Sequence, residues 1–204
     1  AEQWGGVQSN LANAMQIISN PHVHTVGFDG APAVDRGGMS HLPAAVESLL
    51  VDSPVQGLNY PVTGSTEMSR AGDFFALKNI LATGDPAFAE GSDLDRGLIK
   101  QAAEIMRATG DSTTWSWTLD EYGSKVVDER SVIGLANDIL GVAASDNTAV
   151  HDALTGDNMS ATIGNGGQYS ASEHIDGLLN RDWGGQDQAM VRLLDTVGEN
   201  ATSA

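Results

Sequence analysis

Hydrophobic residues recur along the chain mainly at spacings of three and four, which is typical of amphipathic α-helices. The first such segment runs from Val7 to Ser19 and ends before Pro21. Its apolar residues Leu11, Ala14, Met15 and Ile18 lie on one face of the predicted helix. Further helices are predicted near residues 43–51, 65–83, 93–108, 118–144, 147–154, 170–179 and 186–197.

Polar residues that favour helix N-termini mark several of these starts. Ser92 precedes a helix whose first turn contains Asp93 and Asp95, and carboxylates in that position interact favourably with the helix dipole. Further start signals are Asp146, Ser170 or Ser172, and the capping-box pair Thr118 and Glu121. These signals predict where the helices begin.

Two stretches alternate between apolar and polar residues and could form short strands. They are His22–Val26 and Trp115–Thr118, although the second also fits the entry of a helix. We predict a loop-rich N-terminal lobe with two short helices over residues 1–60 and a helical core domain over 61–204. The predicted fold is mainly α, with about seven to eight helices in a compact orthogonal or antiparallel array and at most a short β-hairpin.

The composition narrows the possible functions. The 204 residues contain 10 basic and 27 acidic side chains, so the formal net charge is −17. Binding to nucleic acid requires clusters of Lys and Arg and is therefore excluded as a function. Cysteine is absent, which excludes disulfides and cysteine-based metal sites. No apolar run reaches the roughly 18–20 residues that a transmembrane helix needs.

His22 and His24 are the candidate metal ligands, because alternate residues of a strand lie on the same face. Asp29 and Asp35 follow nearby, and imidazole with carboxylate suits zinc or non-haem iron. A metal-dependent hydrolase built on His22 and His24 is therefore one alternative. The other interpretation is a solvated polar loop. No catalytic residue is assigned, no cofactor is expected, and enzymatic activity is left open.

Three tryptophans are candidate partner-binding residues: Trp115, Trp117 and Trp183. Core packing is the competing interpretation of the pair Trp115 and Trp117. Trp4-x-Gly6 and Trp183-x-Gly185 also match the turn of exported WxG helical hairpins. Tyr169 with Glu173 matches the associated export signal, but it precedes Trp183, whereas that family places the signal after the hairpin.

Several phrases resemble a known group of proteins. They are LANAMQIISNP at 11–21, Gly37-Gly38 before HLPAAV at 41–46, and Asp182-Trp183 before LLDTVGENA at 193–201. Together they are similar to mycobacterial and other actinobacterial proteins that contain a tetratricopeptide-repeat (TPR) region. The resemblance implies an exported or envelope-associated protein of unknown activity, with some members encoded near type VII secretion loci. It implies no functional residue.

The sequence therefore favours a non-enzymatic helical interaction module of a secreted or cell-envelope-associated actinobacterial protein. The partner is expected to be another protein, and the oligomeric state is left open. The localisation follows from the resemblance alone and leaves a cytoplasmic location open. Since the chain opens with Ala1 rather than Met, we expect a processed or excised segment. A second alternative is accordingly the helical export or pretoxin region of a larger type VII secretion effector.

Overall fold

Eight α-helices form most of the regular structure in the computed structural model, which describes residues 2–26, 32–57, 65–109, 114–120, 123–163 and 167–202. They are α1 (Glu2–Ser19), α2 (Ala44–Val51), α3 (Ala71–Leu81), α4 (Asp93–Ala108), α5 (Glu129–Ala143), α6 (Asn147–Thr155), α7 (Ala171–Leu179) and α8 (Gln188–Thr202). Short 3-10 turns lie at Met39–His41, Pro86–Phe88 and Met159–Thr162. The predicted mainly α fold class is confirmed.

Side-chain oxygens cap four of the helices at their N-termini. Ser92 accepts from the backbone N–H of Asp95 at 3.0 Å, and the corresponding caps of α5, α6 and α7 are Asp128, Asp146 and Ser170. Each cap satisfies a backbone donor that has no partner inside the helix. The predicted starts at Ser92, Asp146 and Ser170 are confirmed.

The described residues form six short strands in two sheets. β1 (His24–Val26) pairs antiparallel with β2 (Pro32–Arg36). The second sheet has the order β3 (Val55–Gly57), β4 (Ser65–Met68), β5 (Thr114–Asp120) and β6 (Gly123–Val127). Its outer pairs are antiparallel and β4 runs parallel to β5. The strand content thus exceeds the single short hairpin that the sequence predicts.

The predicted helix over 65–83 is wrong at its start, where β4 forms instead. Thr66 and Met68 are buried and Glu67 between them is half-buried, which is the two-residue period of a strand. β4 is held by hydrogen bonding to β3 on one side and β5 on the other. The helix begins at Ala71, after Arg70 adopts a left-handed backbone conformation with φ of 60°.

The predicted helix over 118–144 also begins too early. Thr118 lies in β5, where it pairs with Ser124 of β6, so it does not cap a helix. Glu121, the other member of the predicted capping box, lies outside the described residues. The helix starts only after Asp128. Pairing between neighbouring strands, including Trp115 with Val127, favours the extended conformation over the local helical signal.

α4 is the central helix of the fold. Every residue from Asp93 to Ala103 is buried, and α1, α2, α5, α6 and α7 all contact it. The hydrophobic core is one cluster that includes Met15 of α1, Leu50 of α2 and Leu98 of α4. The division at residue 60 stays a prediction. Among the described residues, no helix has the length and apolar character required to span a membrane.

Candidate protein-interaction surface

α1 presents an apolar stripe to solvent. Trp4 is 74% exposed, Val7 56%, Leu11 44% and Ile18 38%, and Ala14 is also exposed. These five residues are separated by steps of three and four, so they follow one line along the helix. We call this line the outer stripe; it consists of Trp4, Val7, Leu11, Ala14 and Ile18.

A second face of α1 packs on the core. It is formed by Ala12, Met15, Gln16 and Ser19, all of which are buried. At 3.6 residues per turn this face is centred roughly 100° from the outer stripe. Of the four apolar residues that the sequence places on one face, only Met15 is buried, and it lies at the edge of the core face. The polar residues Gln16 and Ser19 complete that face.

The outer stripe is almost free of charge. Glu2 is the only ionisable residue in the sequence of α1. Trp4 to Gln8 are all exposed, and a Cβ built on Gly5 or Gly6 meets no atom within 4 Å. The N-terminal half of α1 therefore projects from the fold, and its backbone is accessible to an approaching helix.

α8 carries a shorter exposed apolar set, the α8 stripe, which consists of Val191 (49% exposed), Leu194 (49%) and Val197 (38%). The adjacent face packs Ala189, Met190 and Leu193 into the core. Unlike the outer stripe, this set alternates with the ionisable residues Arg192, Asp195 and Glu199. The two terminal helices therefore differ in charge although both expose aliphatic side chains.

The charged residues of α4 form a buried network that links distant parts of the chain. The Arg96 guanidinium is fully buried and pairs with Asp93 at 2.9 Å and with Asp152 of α6 at 2.7 Å. Its Nη1 also donates to the carbonyl oxygen of Gly91. Asp93 in turn accepts from the backbone N–H of Met39 at 2.9 Å. Each charged group in this network is paired with a group of opposite charge. The network therefore holds the connected elements in position and leaves no unpaired charge to bind a ligand.

Two neighbouring α4 side chains complete the end of α2. Lys100 Nζ donates to the carbonyl oxygen of Val51 at 2.7 Å. Gln101 Nε2 donates to the carbonyl oxygens of Leu49 and Asp52, both at 2.8 Å. The last carbonyl groups of a helix find no N–H donor within the helix. The Lys100 and Gln101 side chains therefore supply donors to carbonyl groups that would otherwise be buried without a partner.

Asp95 is a buried carboxyl group that joins α4 to α1. Its Oδ1 accepts from Gln16 Nε2 at 3.2 Å, while Asp95 Oδ2 and Gln16 Oε1 are both buried without a hydrogen-bond partner. Burial, followed by the nearby negative charge of Asp146, raises the pKa of Asp95 well above its usual value. The raised pKa means that the neutral, protonated form of this carboxyl group persists to higher pH than in an exposed aspartate.

Another polar cluster borders a cavity of about 680 Å³. Glu104 lines the cavity and lies 3.1 Å from Lys100 Nζ and 3.7 Å from His174 Nε2. Burial alone would raise the pKa of Glu104, but the neighbouring His174 imidazole and the Lys100 charge outweigh it and lower the pKa. Glu104 is therefore an ionised, paired carboxylate rather than a protonated acid ready to donate.

The predicted metal ligands lie where α1 leads into β1. His22 and His24 are both exposed, and His24 Nδ1 lies 3.3 Å from the His22 carbonyl oxygen. Asp35 is exposed in β2, and Asp29 lies outside the described residues. The part of the chain that the structure describes contains no group of three or more side chains arranged to hold a metal ion. The two-histidine site stays a prediction.

The predicted partner-binding tryptophans lie in or against the core. Trp115 is 2% exposed and Trp183 6%, and the Trp183 indole N–H donates to the carbonyl oxygen of Leu178 at 2.9 Å. Trp117 is half-buried and packs edge-on against Phe75, with ring centroids 5.3 Å apart. Their role in partner binding stays a prediction. The most exposed tryptophan is Trp4, which in the sequence belongs only to a short turn pattern.

Trp4-x-Gly6 is not a turn in the structure, because these residues lie within α1. Trp183-x-Gly185 does lie in a turn, with left-handed φ angles of 58° at Gly184 and 76° at Gly185. The outer stripe was detectable in the sequence as apolar residues at 4, 7, 11, 14 and 18. The sequence does not show which face of α1 the core covers, because the buried face includes the polar residues Gln16 and Ser19.

Comparison with known proteins gives one finding. No curated protein and no solved structure matches the chain. The sequence does match the family described as the TPR repeat domain, over residues 1–196. TPR domains are helical modules that mediate protein–protein interactions. Since the match extends over nearly all of its length, the chain belongs to the TPR repeat domain family.

Proposed function

We propose that this domain is a non-enzymatic interaction module of a secreted or cell-envelope-associated actinobacterial protein, and that it binds its partner through the outer stripe of α1. The family supports a role in protein–protein contact. The resemblance of the phrases at 11–21, 41–46 and 193–201 supports the envelope setting.

The observation that carries the proposal is the exposure of Trp4, Val7, Leu11 and Ile18 along one line. A packed aromatic side chain buries roughly 150–250 Å², so Trp4 alone has substantial area to remove from water. Contiguous exposed apolar surface on a folded domain commonly marks an interaction site. Tryptophan is also among the residues that contribute most to binding free energy at interfaces.

The spacing of the outer stripe defines the kind of partner surface. Apolar residues at alternating steps of three and four fit the grooves of a second helix that carries the same pattern. The helix is about 27 Å long, from 18 residues at roughly 1.5 Å each. We therefore expect the partner to contribute an apolar helix of two to three turns or more.

Comparative capture tests the proposal. Wild-type protein, Leu11→Asp and Leu194→Asp are used as baits in culture-filtrate and envelope fractions, and bound proteins are quantified by mass spectrometry. Leu11 and Leu194 are similarly exposed, so the two variants carry matched changes on different helices. We expect Leu11→Asp to lose the bound partner and Leu194→Asp to retain it. Equal recovery by all three baits would contradict the proposed surface.

The proposed localisation has its own test. An antibody against this domain is used to follow the natural gene product in cytosolic, envelope and culture-filtrate fractions. We expect the protein in the envelope or filtrate, with a cytosolic marker confined to the cytosol. A product found only in the cytosolic fraction would reject the envelope setting while leaving the interaction surface unaffected.

A further inference from the structure

We propose that the partner of the outer stripe is a second copy of this chain, so that two α1 helices pair across a two-fold axis. This inference rests on the proposed function, since it names the occupant of the same surface. The register, the charge distribution, the accessibility and the area of the stripe each support it.

The register of the stripe is self-complementary. Trp4, Val7, Leu11, Ala14 and Ile18 occupy the first and fourth positions of successive heptads, the positions that two paired helices present to one another. In a two-fold pair the same patch is used by both subunits, so no second type of surface is required. The small side chain of Ala14 also allows the helix axes to approach closely at that point.

The charge distribution favours α1 for contact between copies. Each chain carries a formal charge of −17, so two copies repel one another over most of their surface. Glu2 is the only ionisable residue of α1, and it lies at the start of the helix, away from most of the stripe. The α8 stripe, by contrast, lies beside the exposed Asp195, whose carboxylate would add to the repulsion between two copies in a symmetric pair.

The projecting half of α1 can accept a second helix without rearrangement. Trp4 to Gln8 are exposed on all sides, and an atom added at Gly5 or Gly6 would find open space. The flanking side chains Gln8 and Asn10 are uncharged and exposed, so they can hydrogen-bond to each other or to water at the rim of the interface.

The available area predicts a weak dimer. The exposed parts of the stripe amount to roughly 400 Å² in each copy, given ordinary areas for such side chains. Together with polar residues at the rim, the total approaches only the lower end of the ~1,200–2,000 Å² typical of stable complexes. We therefore expect a dissociation constant on the order of micromolar.

Sedimentation equilibrium of the purified chain tests the pairing. Samples cover about 0.05 to 300 μM, which brackets a micromolar constant. We expect the weight-average mass of the wild type to rise from one chain toward two. Val7→Asp should remain monomeric, because it places a charge in the stripe of both copies. Val191→Asp, the matched change on α8, should associate like the wild type.

Salt and folding controls complete the test. Raising salt from about 0.05 to 0.3 M should strengthen association, because it screens repulsion between the acidic chains. Circular dichroism should show that Val7→Asp remains folded, since its surroundings are exposed; Val7→Ser is a milder second variant that should weaken the dimer at least several-fold.

The outcomes separate the two proposals. A wild type that is monomeric throughout, or a Val7→Asp variant that associates normally, overturns self-pairing. If the wild type is monomeric and the capture experiment still depends on Leu11, self-pairing is wrong and the interaction module stands. If capture is also insensitive to Leu11→Asp, both proposals fail.

Discussion

α1 and α4 reverse the usual relation between charge and exposure. α4 carries six ionisable residues in 16 and is the most deeply buried helix of the fold. α1 has one ionisable residue in 18, yet it exposes a line of large apolar side chains. The difference shows that a charged residue is buried where it finds partners, and that an apolar residue stays exposed where the core is already covered.

The two helices consequently contribute to different properties. The charges of α4 hold α2, α6 and the turn at Met39 in position through hydrogen bonds and ion pairs. The outer stripe of α1 makes no comparable contribution to the fold. We expect substitutions in α4 to change the free energy of unfolding, and substitutions in the outer stripe to change association.

The largest effect is expected for Arg96→Met. It leaves the carboxylates of Asp93 and Asp152 buried without their cation, and removing one partner of a buried ion pair costs about 3–5 kcal/mol. Urea-induced unfolding measures the change. Lys125→Met, which alters an exposed residue of β6, should change the unfolding free energy by less than about 0.5 kcal/mol.

A compensating variant sharpens this prediction. Replacing Asp93 and Asp152 by Asn in the Arg96→Met background removes the two unpaired charges, and part of the lost stability should return. If Arg96→Met is no more destabilising than Lys125→Met, the buried network does not support the fold in the way described.

A pH-dependent effect is expected for Asp95. Because its folded-state pKa is raised, chiefly by burial, the folded protein retains a proton that the unfolded chain has lost. This contribution to stability is largest below the unfolded pKa of about 3.9 and declines as pH rises, by up to about 1.4 kcal/mol per pH unit, until the raised pKa is passed. Asp95→Asn should abolish this contribution and be more stable than the wild type at neutral pH.

The measurement is the difference in unfolding free energy between wild type and Asp95→Asn from pH 4 to 8. Asparagine can both donate to and accept from Gln16, so the contact between α1 and α4 is preserved. Asp195→Asn on the exposed face of α8 is the control and should leave the pH profile parallel to that of the wild type. A difference that is constant with pH would contradict the interpretation of Asp95.

The smallest expected effects come from a pair of glycines. At Gly177 of α7, an added Cβ would overlap the carbonyl oxygen of Ala103 in α4, whereas at Gly6 of α1 it would meet nothing within 4 Å. Gly177→Ala should therefore destabilise by about 1–3 kcal/mol. Gly6→Ala should stabilise by roughly 0.5–1 kcal/mol, because alanine favours a helix. Thermal unfolding measures the stability of both variants. Changes in unfolding free energy of the same sign would contradict the close packing of α7 on α4.

Local signals predicted part of this structure correctly. The helix starts at Ser92, Asp146 and Ser170 depend on residues three positions apart, so they can be identified from short stretches of sequence. The strand β4 cannot be identified in this way, because it forms by pairing with β5, almost 50 residues later in the chain. For the same reason the local sequence predicts a helix cap at Thr118, which in the structure pairs with Ser124 in the sheet.

The sequence also predicts part of the candidate interaction surface. The spacing of Trp4, Val7, Leu11, Ala14 and Ile18 is visible, but that spacing equally fits a buried face. The sequence predicts only that Asp93 and Asp95 are helix-start residues. Their burial depends on Arg96 finding Asp152, 56 residues away, and on Gln16 of α1 reaching Asp95. Long-range pairing of this kind is set by the tertiary structure.

Site-specific photo-cross-linking in the producing organism tests the central claim most directly. A photoreactive residue replaces Asn10, beside the outer stripe, or Asp195, beside the α8 stripe; both positions are exposed, so neither stripe is altered. The claim predicts protein adducts from position 10, with a second copy of this chain among them, and none above background from position 195. Adducts formed equally at both positions, or at position 195 alone, would contradict it.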